Sequence, residues 1–261
     1  MNLAGRGIVI TGTDTGVGKT VVAAGLARAL RIRGLGHGRG HGMSVGVMKP
    51  VETGCRRVRD RLVAPDAALL RRAAGSRDSM ELVAPYRFQA PLAPMVAAAL
   101  EKRRIRLTRL LTAYRILASR HEIMLVEGVG GLLVPLTARL SVADLIVHLG
   151  LPILIVARAG LGTLNHVLLT VAAARRHKIA ILGVVLNTSR PGCPGPAERT
   201  NVAALRQLTD TPLLGTIPYI RGNSEQVVER IARLVMGWRW SGEGVDKLAR
   251  RLTHIRTGPD R

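Results

Sequence analysis

Short apolar runs alternate along the chain with longer stretches whose apolar positions recur every three or four residues. The runs at 7–11 (GIVIT), 44–49 (SVGVMK), 123–126, 153–157 (ILIVA), 181–186 (ILGVVL) and 213–217 read as strands. Residues 19–33, 66–74, 108–119, 163–176, 198–208 and 225–238 read as helices, with Val22, Leu26 and Leu30 at helical spacing in the first. A strand covered on both faces is apolar throughout, and strands separated by helices pair in parallel. The pattern predicts an α/β fold, a doubly wound and mostly parallel sheet. Such sheets bind ligands at the carboxyl ends of their strands. No internal repeat is visible. Residues 1–237 read as a single domain with a glycine-rich loop at 34–42 (GLGHGRGHG), and 238–261 as a basic C-terminal extension. In that extension Val245, Leu248, Leu252 and Ile255 fall at helical spacing, and a frayed tail fits equally well.

Composition narrows the class. The 261 residues are 47% hydrophobic and 21% charged, enough for a full core and too apolar for a disordered chain. One Phe, two Trp and three Tyr make the core aliphatic and leave few rings on which to stack bases. With 39 basic and 17 acidic residues the net charge is +22. Lys occurs only at 19, 49, 102, 178 and 247, and the Arg residues are scattered through every predicted helix. That scatter predicts no dedicated nucleic-acid face. The most apolar region, 140–164, is broken by Asp144, His148 and Arg158, so no membrane span is expected. The first residues show no secretory cleavage pattern, and Cys55 and Cys193 have no paired spacing. A cytoplasmic protein is the simplest expectation.

The sharpest motif is TGTDTGVGKT at 11–20, which follows a strand and opens a helix. That is the setting of a phosphate-binding loop. Gly16 and Gly18 let backbone N–H groups converge on phosphate oxygens, and the helix start adds its positive dipole end. Lys19 would reach the outer phosphates, and the Thr20 hydroxyl would hold Mg²⁺. The general pattern has Gly where Thr13 stands; here Gly12 sits one residue earlier.

Two further clusters belong to the same end of the sheet. The second strand leads into KPVETG at 49–54, and its tip is expected beside the phosphate loop, so Lys49 would face the same anion as Lys19. The third strand ends in VEGVGG at 126–131, where Glu127 at an apolar strand end is a candidate Mg²⁺ ligand. Asp66, after Pro65, reads either as a first-turn helix acid or as part of the site. His37 and His41 lie four apart, but the surrounding glycines provide no helix to align them as ligands. Cys55 adjoins the candidate site and reads as an incidental thiol.

TGTDTGVGKT, KPVETG and VEGVGG, with LGTLNH at 161–166, GVVLN at 183–187 and LLGTIP at 213–218, occur in the order of, and closely resemble, dethiobiotin synthetase. The resemblance spans about residues 7–226. It implies a P-loop NTPase-like fold and an ATP-dependent ligase of biotin biosynthesis. The implied substrates are 7,8-diaminopelargonic acid and CO₂ or bicarbonate, with ATP as co-substrate and Mg²⁺ as cofactor, in a homodimer with the site near the interface.

Carried over by position, Lys49 and Lys19 are catalytic, and Thr20, Asp66 and Glu127 hold the metal. Gly16, Val17, Gly18, Lys19, Thr20 and Val21 form the nucleotide loop, joined by Gly128, Val129 and Gly130. Asn187, Thr188, Pro218, Tyr219, Ile220 and Glu225 lie around the nucleotide base. Thr15 and Thr53 face the diamine and carbamate, and Asn165 binds the substrate carboxylate across the dimer. Thr188 stands where many members have Asp, and Thr53 where many have Ser. The rival reading is a partition- or septum-type P-loop ATPase binding nucleic acid or membrane. Those proteins carry a signature Lys five residues before the loop Lys, where this chain has Asp14. A cobyrinate-type synthase would need a glutaminase domain for which 261 residues leave no room.

Overall fold

A computed structural model describes residues 7–33, 42–192 and 195–237. The expectations for residues 34–41, with His37 and His41, for Cys193 and for the extension at 238–261 lie outside the described residues.

The central sheet has six strands: β1 (Gly7–Gly12), β2 (Val45–Met48), β7 (Ile123–Gly131), β10 (Ile153–Arg158), β11 (Ile181–Asn187) and β12 (Leu213–Ile217). Their spatial order is β12-β11-β10-β1-β7-β2, and every pairing is parallel. The remaining strands are short pairs at the margin: β3 (Val51–Glu52) with β6 (Tyr86–Arg87), β4 (Arg56–Val58) with β5 (Arg61–Val63), and β8 (Pro135–Thr137) with β9 (Leu140–Ser141).

The helices are α1 (Lys19–Arg33), α2 (Pro65–Ala74), α3 (Met80–Val83), α4 (Pro94–Leu100), α5 (Leu107–Ala118), α6 (Val142–Leu149), α7 (Thr163–Arg176), α8 (Pro196–Leu208) and α9 (Ser224–Met236). Successive strand residues point to opposite faces. Ile8, Ile10, Leu125, Leu154 and Val156 accordingly join α1, α2 and α9 in one core. Val9, Met124, Val126, Ile153 and Ile155 join α5, α6 and α7 in the other. This double burial is why the strands read as unbroken apolar runs.

Two expectations are corrected. The second strand does not lie beside the phosphate loop: β7 sits between β1 and β2. The third strand does not end at Val126, because β7 continues to Gly131, and Glu127 pairs in register with Ile10. The register then shifts so that Gly12 pairs with Gly131, a bulge at the functional end of the sheet. Glu127 is therefore a buried strand residue and not an exposed turn acid.

Candidate functional site

The loop between β1 and α1 holds Lys19 inward. The Lys19 Nζ donates to the Asp14 carbonyl at 2.8 Å, and the side chain is buried. A Cβ built at Gly12 would lie 3.0 Å from that Nζ. The glycine displaced by one position from the general pattern thus makes room for the ammonium. Burial, and then repulsion from Lys49, lower the Lys19 pKa to about 8. Gly18 has φ +98°, and a Cβ there would meet the Asn187 Nδ2 at 2.1 Å.

Lys49 follows β2 directly and reaches to Glu127 of the adjacent strand β7. Its Nζ donates to Glu127 Oε1 at 2.6 Å and to Asp66 Oδ2 at 3.0 Å. The same Glu127 oxygen accepts from the Thr20 hydroxyl at 2.7 Å. Thr20, Lys49, Asp66 and Glu127 come from four separate stretches of chain and meet at one point. Burial opposes a charge on Lys49, but the two carboxylates overcome it and hold the ammonium protonated, well above the ordinary lysine value. Burial pushes the Glu127 carboxyl upward, against the attraction of Lys49.

Asp66 is positioned by a group the sequence reading missed. Pro65 begins α2 and has no N–H, so the first free donors of that helix are Asp66 and Ala67. Glu52 accepts both, one on each carboxylate oxygen, at 2.9 Å each. Glu52 lies on β3, three residues after Lys49, so one short segment supplies the lysine and orients its partner acid. Its carboxyl is raised by burial despite these two bonds. A buried acid three residues past a strand-end lysine was the available signal.

Two more residues missed in the sequence grip the loop. Asp14 accepts the Thr15 N–H on one carboxylate oxygen at 2.7 Å and pairs with Arg158 on the other at 2.5 Å. Arg158 ends β10, and Asn187, its register partner, ends β11. Asn187 is buried and donates to the Val17 carbonyl at 2.9 Å. Neighbouring strand tips thereby hold the loop at Asp14 and at Val17. Asp14, standing where partition ATPases carry a lysine, has a cation from its own chain beside it.

The other expected residues are spread over the same end of the sheet and beyond it. Thr15 is exposed beside Gly130, whose φ of +59° turns the end of β7, next to buried Gly128 and half-buried Val129. Thr53 is half-buried in the turn after β3. Thr15, Gly16, Val17, Arg158, Asn187 and Thr188 share the lining of a 660 Å³ pocket over the loop. Val21, half-buried, lies in the first turn of α1. Asn165 is exposed in the first turn of α7. Pro218 and Tyr219 are exposed and Ile220 half-buried in the turn after β12. Glu225 faces Arg72 at 3.9 Å and lines a separate 950 Å³ groove of α1, α2 and α9, whose lining includes none of the loop residues. Cys55 is buried, with its thiol pushed up to about 11 first by burial, consistent with an unreactive packing group.

The donors suit a hard cation. Glu127 Oε2 is buried without a hydrogen-bond partner among the described residues, and it sits with the Thr20 hydroxyl and Asp66 around one point. Among the described residues no three His, Cys, Asp or Glu side chains form a metal cage. One hydroxyl and two carboxylates are all-oxygen donors of the kind Mg²⁺ takes, with no Cys or His such as zinc favours.

No helix among the described residues is long and apolar enough to cross a membrane. In overall shape the chain is similar to a ParA family ATPase from Chlorobium tepidum (TM-score 0.53, 14% identity, covering 97% of this chain and 100% of the other). It is also similar to a chain of the MinC:MinD cell division complex of Aquifex aeolicus (TM-score 0.52, 15% identity, 98% and 99%). At those identities the likeness concerns the fold, that of P-loop ATPases.

A family model described as an AAA domain matches residues 6–226. ATP-dependent dethiobiotin synthetases resemble the chain far more closely in sequence. That of Anaeromyxobacter dehalogenans is 48% identical over 82% of this chain and 90% of its own, and that of Thermodesulfovibrio yellowstonii 41% over 82% and 89%. The enzyme of Bacillus velezensis is 36% identical over 87% and 92%. With the phosphate loop, the strand-end lysine and the acid pair all in place, this chain belongs to the ATP-dependent dethiobiotin synthetases, ligases of biotin biosynthesis.

Proposed function

We propose that this site closes the ureido ring of dethiobiotin from 7,8-diaminopelargonic acid, CO₂ and ATP, through a carbamate and a carbamic–phosphoric anhydride. The observation that carries the reading is the convergence of Lys49, Thr20, Asp66 and Glu127 beside the inward-turned Lys19. One amine of the substrate adds to CO₂ and loses a proton to give a carbamate. A carbamate oxygen attacks the γ-phosphorus and ADP leaves. The second amine then attacks the carbamoyl carbon, loses a proton and expels phosphate.

The difficulty is bringing two anions together, and cations aimed at the transferring group offset it. Lys19 leaves the Asp14 carbonyl for the outer phosphates. Lys49, kept protonated by its two carboxylates, stands where carbamate and γ-phosphate approach. Thr20, Asp66 and Glu127 would hold Mg²⁺, which when bound neutralises charge on the phosphate oxygens. Gly16–Val21 backbone amides cradle the triphosphate, with Gly128, Val129 and Gly130 alongside. Asn187, Thr188, Pro218, Tyr219, Ile220 and Glu225 bound the base side, for which Glu225 would have to turn from Arg72. Thr15 and Thr53 offer hydroxyls to the diamine and carbamate.

The reading includes a homodimer in which Asn165 at the start of α7 receives the substrate carboxylate of the partner's site. Exposed apolar side chains support it: Met95, Val96 and Leu100 on α4, Leu133 before β8, and Leu161 and Leu169 around α7. α4 packs against β8, so the first four belong to neighbouring elements. Apolar area of this kind is normally covered, and a two-fold contact covers it on both copies. The reading also includes work in the cytoplasm, where ATP is supplied.

The test is purified protein with diamine, bicarbonate, Mg²⁺ and ATP, with product followed by mass spectrometry. Dethiobiotin should form with one phosphate released per product. Phosphate release indifferent to the diamine would overturn the reading.

A further inference from the structure

The fold adds basic residues from other segments to the basic run at 102–109. Two adjoining grooves of 710 and 860 Å³ share Glu81 and Arg103 on their walls. Together they are lined by eight basic residues and two acidic ones, Asp60 and Glu81. The densest part is the turn into α5, where Lys102, Arg103, Arg104, Arg106 and Arg109 are all exposed while Ile105 between them is buried as an anchor.

The local acids do not account for these charges. Glu81 pairs with Arg87 at 3.4 Å, and Glu101 with Arg103 at 3.6 Å. Arg71 donates to the Asp78 carbonyl at 3.2 Å. Lys102, Arg104, Arg106 and Arg109 have no carboxylate within ion-pair distance among the described residues. Their position is also electrostatically unfavourable. Arg106 caps α5 and Arg109 lies in its first turn, which holds no acid, so positive charge is stacked on the positive end of the helix dipole. Mutual repulsion and the dipole both oppose the arrangement, and a bound polyanion relieves both.

We propose that this groove binds the phosphate backbone of duplex nucleic acid without reading its sequence, a second activity independent of the ligase site. The aromatic residues favour a duplex over a single strand. Tyr86 and Phe88 are buried, and Arg109 and Arg103 lie over their rings at 5.0 and 4.8 Å. They offer no open face for an unpaired base, whereas the guanidinium groups they support can meet phosphates.

The experiment uses the full chain and a fluorescent 25-base-pair DNA duplex, with anisotropy read from 50 to 200 mM KCl. Two fourfold variants are compared. One carries Lys102→Ala, Arg104→Ala, Arg106→Ala and Arg109→Ala. The other carries Arg139→Ala, Arg176→Ala, Arg206→Ala and Arg230→Ala, exposed positions lining neither groove. Four phosphate contacts contribute roughly 3.6 to the slope of log K against log salt, about a 150-fold change over that range. The groove variant should lose that slope and keep ligase turnover, while the second variant keeps most of both. Equal losses in the two variants would show distributed charge without a site. No binding by the native chain at 50 mM, or a groove that prefers anionic phospholipid vesicles to DNA, would also overturn the proposal. Ligase turnover in the native chain is read separately, so failure of one activity leaves the other tested.

Discussion

The lowered pKa of Lys19 makes nucleotide affinity depend on pH above neutrality. In the unliganded protein this ammonium is buried and repelled by Lys49, and it gives up its proton near pH 8. A triphosphate beside it favours the charged form, so binding draws a proton back onto Lys19. Affinity then follows the protonated fraction of the free protein. That fraction falls from roughly three-quarters at pH 7.5 to about one-tenth at pH 9, an expected weakening of about eightfold. Near pH 8 each nucleotide bound should take up roughly half a proton. Calorimetry with a non-hydrolysable ATP analogue in two buffers of different ionisation heat reads both quantities. Lys19→Arg, whose guanidinium stays charged, should flatten the profile. Native protein with constant affinity from pH 7.5 to 9 and no buffer-dependent heat would refute the reasoning.

Other consequences follow from the same geometry. Gly18→Ala places a Cβ 2.1 Å from the Asn187 amide at φ +98°, so nucleotide binding should weaken more than about tenfold, whereas Gly16→Ala, with nothing within 4 Å, should cost only about 1–2 kcal/mol of stability in the calorimeter. Glu127→Gln keeps the side chain's shape but removes a charge from the proposed Mg²⁺ site, and the Mg²⁺ concentration for half-maximal turnover should rise about tenfold or more. Burial opposes the charge on Asp78, but bonds from Ser76, His121 and Arg120 outweigh it and lower its pKa. That stabilisation is present above the unfolded carboxyl's pKa and is lost as pH falls through the lowered folded value. Asp78→Asn should therefore unfold more easily at pH 7 by about 2 kcal/mol in urea titrations, with the difference closing in acid.

The sheet was legible because its strands are covered on both faces and are apolar over most of their length. Their order was not, since nothing in SVGVMK says that β7 would insert between it and the phosphate loop. α6 escaped a reading that took 140–164 as one apolar region. Its start was nonetheless written as Ser141 and Asp144, which form a reciprocal capping box. Lys49 and Glu127 stood out as charges ending apolar runs, and the structure brings both together with Asp66 from the start of α2. Asp14 and Arg158 were missed because their contact joins distant segments that no local pattern encodes, whereas Glu52 carried a signal in its spacing from Lys49. The basic run KRRIRLTR was visible at 102–109. Its meaning depended on knowing that Glu101 reaches only Arg103 within the run and that Glu81 turns to Arg87 instead.

On the proposed reading the chemistry turns on Lys49, and Lys49→Gln tests that most directly. Glutamine can still donate to Glu127 and Asp66, so the variant should fold and bind the ATP analogue with nearly native affinity. Its rate of diamine-dependent phosphate release should nevertheless fall at least about 100-fold. A variant that binds nucleotide and turns over within a few-fold of the native rate would contradict the account, because the transferring phosphoryl group would then not need that ammonium.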